Sequence, residues 1–249
     1  MPQISIIIAT YNSENCLSRA LNSVLNLKNT DWECIIVDGL SSDHTIDIIE
    51  DYHRRDKRFI YISEKDNGIY DALNKGVKMS NGEWIYVLGS DDELTPDGLS
   101  NLLSFHEKYD VVYGNVYIRS TDGNITKFIA KNHKKLKYVM NCSHQAVIMR
   151  KSLINELNGF NLVYKIRADF DLMQRAYLKK YNFHYVNTYV AYFLTAGLSS
   201  TAKMSTHIER YYICKANRSS SFPLLWYCYQ ESKYIVREII LRKILLWKD

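Results

Sequence analysis

Five short apolar runs, spaced by segments of helical periodicity, constrain the fold of this chain more than any other feature. They cover residues 4–9, 34–37, 59–62, 84–88 and 110–113. Their β-branched and aromatic content reads as buried strands. After the first run, Cys16, Leu17, Ala20, Leu21, Val24 and Leu25 share one helical face, with Ser13 as N-cap. Ser41-Ser42-Asp43 then offers caps for a helix turning Ile46, Ile48 and Ile49 inward. Residues 70–79 read as a third helix, and Thr95-Pro96 as the cap and first turn of a fourth. Such alternation implies a mainly parallel, three-layer α/β sheet flanked by helices. Right-handed crossovers bring the carboxyl ends of its strands to one edge. Thr10, Asp38, Ser63-Glu64 and Asp91-Asp92 would therefore meet there, where open α/β sheets bind ligands.

The stretch Gly89-Ser90-Asp91-Asp92-Glu93 stands out on that edge. Adjacent carboxylates repel unless something positive lies beside them. A divalent cation that also bridges to phosphate meets the need, and a solvated acidic turn is the alternative. No GxGxxG follows the first strand, which weighs against a dinucleotide fold, and no GxxxxGK[ST] is present to form a P-loop.

Charge and cysteine usage narrow the setting. Residues 1–202 carry 23 basic and 23 acidic side chains, whereas residues 203–249 carry 9 and 4. The net charge of +5 thus belongs to the last fifth of the chain, which suits an anionic surface such as lipid headgroups. No nucleic-acid-binding motif accompanies it, so no nucleic acid is expected. Five scattered cysteines show neither CxxC spacing nor a disulfide framework, and no N-terminal signal precedes the first strand. A cytoplasmic location is expected, with peripheral contact at the inner face of the membrane as an extension of it. Between residues 226 and 247 an apolar stripe alternates with Lys233, Arg237, Arg242 and Lys243, reading as an amphipathic helix with too many charges to span a bilayer. That helix would lie on a membrane, on a partner, or on its own catalytic domain.

Three of these segments resemble successive signatures of the family 2 inverting glycosyltransferases. They are Ser5 to Asn12 (SIIIATYN), Ile35 to Gly39 (IIVDG) with Ser41, and Leu88 to Asp92 (LGSDD). The segment Glu64 to Gly76 (EKDNGIYDALNKG) is similar to the subgroup that builds bacterial surface polysaccharides. The resemblance covers roughly residues 4–200 and implies a GT-A fold, a nucleoside-diphosphate sugar donor and a Mn or Mg cation. It divides residues 1–202 into a nucleotide half (about 1–115) and an acceptor half (about 116–202), leaving 203–249 as a basic helical extension. It places Thr10, Tyr11, Asn12, Asp38, Ser41, Asp66, Asn67, Gly68, Asn74, Lys75, Ser90 and Asp91 around the nucleotide sugar. Asp92 is assigned to the metal, with Asp91 on the ribose or the metal. Several of these have plainer readings as turn residues, and Lys75 as a surface lysine. Gly89 stands where the fuller Asp-x-Asp motif often has its first acid.

An inverting displacement also needs a base on the acceptor side. Arg167-Ala168-Asp169-Phe170-Asp171 resembles the family's later acidic motif, which makes Asp169 the candidate base and Asp171 a brace for the next helix. Both acids also fit as helix N-terminal charges. His144 and Gln145 resemble the segment beside the acceptor cleft; a hydrogen-bonded structural role is the alternative for His144. The expected activity is sugar transfer to a saccharide or lipid-linked saccharide acceptor during surface-polysaccharide assembly. A nucleotidyltransferase and a noncatalytic nucleotide-sugar or polysaccharide-binding subunit are the alternatives.

Overall fold

A computed structural model describes residues 2–194 and 203–219. The first four strands are β1 (Ile4–Thr10), β2 (Trp32–Asp38), β3 (Phe59–Ser63) and β4 (Trp84–Val87). They pair in parallel in the order β3-β2-β1-β4. Helices α1 (Leu17–Leu25), α2 (Thr45–Arg55) and α3 (Ile69–Met79) make the crossovers. The sheet continues through β8 (Val147–Arg150), β6 (Val111–Arg119) and β9 (Phe183–Leu194) to β5 (Glu93–Leu94), with β7 (Ile125–Phe128) beside β6. This second half mixes directions: β8 runs antiparallel to both neighbours, whereas β6 and β9 are parallel.

Period-two patterning distributes the strands between two cores. Ile4, Ile6, Ile8, Cys34, Ile36, Trp84 and Tyr86 pack with α1, α2 and α4 (Gly98–Leu103). On the other face, Ile7, Ile85, Val111 and Tyr113 meet α3, α5 (Lys151–Glu156) and α6 (Ala168–Leu178). Helices therefore cover both faces, the three-layer arrangement expected from the alternation.

Local expectations changed at three places. Ser13 does not cap α1 through its side chain; its carbonyl accepts from the Cys16 and Leu17 amides, and Leu25 is turned outward. The fourth helix starts at Gly98 because Thr95 is drawn to β9, donating its hydroxyl to the Tyr189 carbonyl at 2.7 Å. The first part of the expected C-terminal extension forms α7 (Lys203–Ala216), which buries Ile213 and Cys214 in the second core. The amphipathic stretch between residues 226 and 247 lies outside the described residues. Cys16, Cys34, Cys142 and Cys214 are free thiols. No helix among the described residues is long and apolar enough to cross a membrane.

Candidate active site

Parallel register brings the expected edge together, with Thr10 beside Asp38 and Asp38 beside Ser63. Thr10 is buried, and its hydroxyl has no hydrogen-bond partner among the described residues. Tyr11 presents its ring to solvent, 63% exposed. Asn12, at φ 48°, receives the Ser42 amide on Oδ1 at 2.9 Å, while its own amide donates to Ser41 Oγ at 2.8 Å. These bonds tie the β1 and β2 loops into one rim.

Asp38 is fully buried and already well supplied with donors. Ser41 Oγ donates to Oδ1 at 2.5 Å, and the Ser41 amide and Ser63 Oγ donate to Oδ2 at 3.0 and 2.6 Å. Asp66 lies closer to the open rim: a Cβ on Gly39 would fall 2.7 Å from its Oδ2 and 3.5 Å from the Tyr11 ring. A side chain at residue 39 would thus displace Asp66. Asp66 Oδ1 accepts the Gly68 amide at 2.8 Å, and Asp71 Oδ2 accepts the Asn67 amide at 2.9 Å, which fixes the loop before α3.

Two candidates on α3 are engaged elsewhere. Asn74 accepts the Phe160 amide at 2.8 Å and donates to the Phe160 carbonyl at 2.9 Å, so both ends of its amide clamp a distant loop. Lys75 pairs with Glu64 at 2.8 Å and donates to the Lys65 carbonyl at 2.7 Å. It holds the 64–66 loop instead of standing free for diphosphate.

The acidic cluster is built around a missing side chain. A Cβ on Gly89 would sit 2.4 Å from Asp92 Oδ2 and 3.1 Å from Asp91 Oδ1. The two carboxylates converge on the space that a side chain at residue 89 would enter. Asp92 is 1% exposed; its Oδ2 accepts from Gln145 Nε2 at 2.8 Å and its Oδ1 from the Leu194 amide at 3.0 Å. Burial, then the neighbouring Asp91 charge, pushes its carboxyl up to about 6. Gln145, expected on the acceptor side, therefore directs its amide to Asp92. Behind the cluster, Arg19 donates to the Asp91 carbonyl at 2.8 Å and pairs with Glu93 at 2.8 Å, and Arg119 pairs with the same Glu93.

Asp169 sits in the first turn of α6. Its Oδ1 accepts the Phe170 amide at 2.7 Å and lies 3.4 Å from the Tyr70 hydroxyl; its Oδ2 lies 3.5 Å from His144 Nδ1. The Tyr70 phenol is held well above its usual range by burial and by the Asp169 charge, so it remains a donor, and its proton goes chiefly to the Ile166 carbonyl at 2.7 Å. Asp171 is buried and accepts from Arg175 at 2.7 Å and Asn217 at 3.0 Å, the bracing role expected for it. Glu209 on α7 accepts the amides of Lys165, Ile166 and Arg167 at 2.8, 3.0 and 2.9 Å. It fixes the turn that launches Asp169, and nothing in the sequence near 209 announces it.

Ser90, Asp91, Asp92, His144, Gln145 and Asp169 line one cavity of about 650 Å³. Acids from two distant stretches of the chain thus face a common space, one group backed by an arginine network and the other by a tyrosine and a histidine. The residues present suit a hard cation: two carboxylates, one buried with a raised carboxyl, converge beside a glycine. Among the described residues no third His, Cys, Asp or Glu joins them, so a cation here would complete its shell from phosphate and water, as Mg-type sites do.

Comparison with known proteins bears on the family and the fold. The profile described as glycosyl transferase family 2 matches residues 5–157. The PGL/p-HBAD biosynthesis glycosyltransferase of Mycobacterium tuberculosis is 32% identical over 257 residues, covering 99% of this chain and 98% of its own. A GalNAc(5)-diNAcBac-PP-undecaprenol beta-1,3-glucosyltransferase of Campylobacter jejuni is 33% identical over 130 residues, 51% of this chain and 42% of its own. Among solved structures, S. aureus TarS residues 1–349 superpose with a TM-score of 0.68 at 18% identity, covering 86% of this chain and 65% of that one. Mannosyltransferase PcManGT from Pyrobaculum calidifontis, in complex with GDP-Man and Mn2+, gives 0.68 at 15% identity, with 88% and 65% covered. The structural likenesses show the GT-A fold that the sequence led us to expect.

Proposed function

We propose, from the premise that this chain belongs to glycosyl transferase family 2 and is a glycosyltransferase, that it moves one sugar from a nucleoside diphosphate to a saccharide or lipid-linked saccharide acceptor with inversion. One observation carries the reading: Asp91-Asp92 and Asp169 come from separate parts of the chain and line the same cavity. Displacement at an anomeric carbon has two electrostatic demands, a departing diphosphate and an incoming hydroxyl that must lose its proton. Two separated acidic groups match them.

Tyr11, Asp66 and the Asn12–Ser41 rim would receive the nucleoside, with Thr10 buried beneath them at the end of β1. Asp38, buried beneath the rim, would act on the nucleoside site through Ser41 and Ser63, which it holds in place. Asp92, with Asp91, would hold a divalent cation, Mn or Mg, that neutralises charge on the leaving diphosphate. The complexes of the structural relatives support this donor: TarS has been seen with UDP-GlcNAc and PcManGT with GDP-Man and Mn2+. Asp169 would take the acceptor proton at one carboxylate oxygen, while Tyr70 and His144 fix the orientation of the group.

The setting extends the same proposal. Relatives named for PGL/p-HBAD biosynthesis and for a PP-undecaprenol-linked glycan support a surface-glycan acceptor. The excess of basic side chains in residues 203–249 supports peripheral contact with the inner face of the membrane from the cytoplasm. The direct test is Asp169→Asn. A loss of roughly a hundred- to ten-thousandfold in kcat with donor affinity retained is expected. Undiminished transfer removes Asp169 as the base.

A further inference from the structure

The cavity contains far more apolar wall than the transfer reaction requires. Its polar groups are nearly all those assigned above, yet Leu73, Met140, Met149, Phe160, Met173 and Phe193 line it too. These residues come from α3, the loop before residue 144, β8, the loop before α6, α6 itself and β9. A nucleotide, a diphosphate or a bare hexose gains little from such a surface. A space of about 650 Å³ falls within the usual range of small-molecule sites, roughly 300–1,000 Å³. The rim elements that would receive the nucleoside (Tyr11, Asp38 and Asp66) do not line it.

We infer that this cavity is a subsite for an apolar aglycone, an alkyl or aryl group carried by the acceptor close to the hydroxyl that Asp169 deprotonates. The inference rests on the glycosyl-transfer reading and adds the acceptor's chemical class. Asp169 and His144 share walls with the apolar patch, so an acceptor hydroxyl at Asp169 has its own substituent against these side chains. Three methionines from three different segments suit an irregular, flexible occupant, because unbranched thioethers repack around varied shapes.

The test is calorimetric titration of the full chain with methyl and octyl β-glucoside, the octyl compound kept below its micelle concentration. The octyl compound is expected to bind at least about tenfold tighter, since each buried methylene contributes. Met149→Gln and Met173→Gln are each expected to cut that ratio about threefold or more, and Met140→Gln does the same at a partly exposed position that tolerates polarity. Val163→Gln, at a site 78% exposed, leaves the ratio intact and controls for adventitious detergent binding. Equal binding of the two glucosides overturns the inference, as does an octyl advantage that the methionine variants leave whole or that Val163→Gln removes. Binding needs no turnover. If the octyl preference holds while no nucleotide sugar is consumed with any acceptor, it is the transfer reading that fails.

Discussion

Two buried carboxylates, one at each end of the parallel strands, follow opposite rules. Glu33, at the start of β2, is 5% exposed and accepts from Ser5 Oγ at 2.5 Å, the Asn81 amide at 2.5 Å, Asn81 Nδ2 at 3.1 Å and the Gly82 amide at 3.1 Å. Burial pushes its carboxyl up, but these hydrogen bonds outweigh burial and hold it below its usual value. Asp92, at the far end, is 1% exposed, has two donors and stands beside another acid, and its carboxyl is pushed up to about 6. The satisfied charge staples β1, β2 and the entry to β4 together. The under-satisfied one is the carboxyl that an added cation would stabilise in its charged form. Hydrogen-bond saturation, more than burial, separates the carboxyl that is lowered from the one that is raised here.

The sharpest way to break that contrast is to neutralise each acid in turn. Asp92→Asn is expected to lower kcat by about a thousandfold while leaving the chain as stable as before or more so, because an uncompensated buried charge is removed. Glu33→Gln is expected to do the reverse, costing about 2 kcal/mol in a urea titration and leaving the kcat of the folded enzyme unchanged. Similar losses of activity and stability in both variants would erase the distinction.

Acid–base linkage separates the two ends by sign. A carboxyl lowered on folding, as in Glu33, contributes stability above its unfolded value, and this is lost as pH falls through the folded value. Asp92 is raised on folding, so stability falls as pH rises from its unfolded value of about 3.9 through about 6. Urea unfolding in chelator between pH 4 and 7 should show the second component in the wild type and lose it in Asp92→Asn. The smallest effect belongs to the clamp between α3 and the loop before α6. Asn74→Ala is expected to cost about 1 kcal/mol of stability and to leave donor affinity in place, where a nucleotide contact at Asn74 would weaken it.

Much of this was legible in the sequence because period-two apolar runs and helical faces are local signals. The edge carrying Thr10, Asp38 and Asp91-Asp92 follows from them by topology alone, and the resemblance to a family separated Asp169 from an ordinary helix N-terminal acid. What escaped detection depends on partners distant along the chain. Asn74 meets Phe160, Gln145 meets Asp92, and Glu209 holds the turn at residues 165–167. Each pair is specified by packing of separate elements, which leaves no periodic trace. Glu33 escaped for a related reason: an acid beside an apolar strand reads as an exposed end until Ser5 and Gly82 close over it. Gly89 stands where the fuller motif often has an acid, and in the structure the Asp91 and Asp92 carboxylates lean into the space its missing side chain leaves.

In the proposed reaction Asp92 and a divalent cation would together handle the leaving group in this cleft. Release of nucleoside diphosphate from a panel of nucleotide sugars, followed while Mn is titrated into metal-free wild type and Asp92→Asn, tests it most directly. Saturable activation of the wild type by Mn with one donor of the panel is expected, with release reduced about a thousandfold in the variant at every Mn concentration. Equal release by both proteins, or full release by the wild type in chelator, would contradict it.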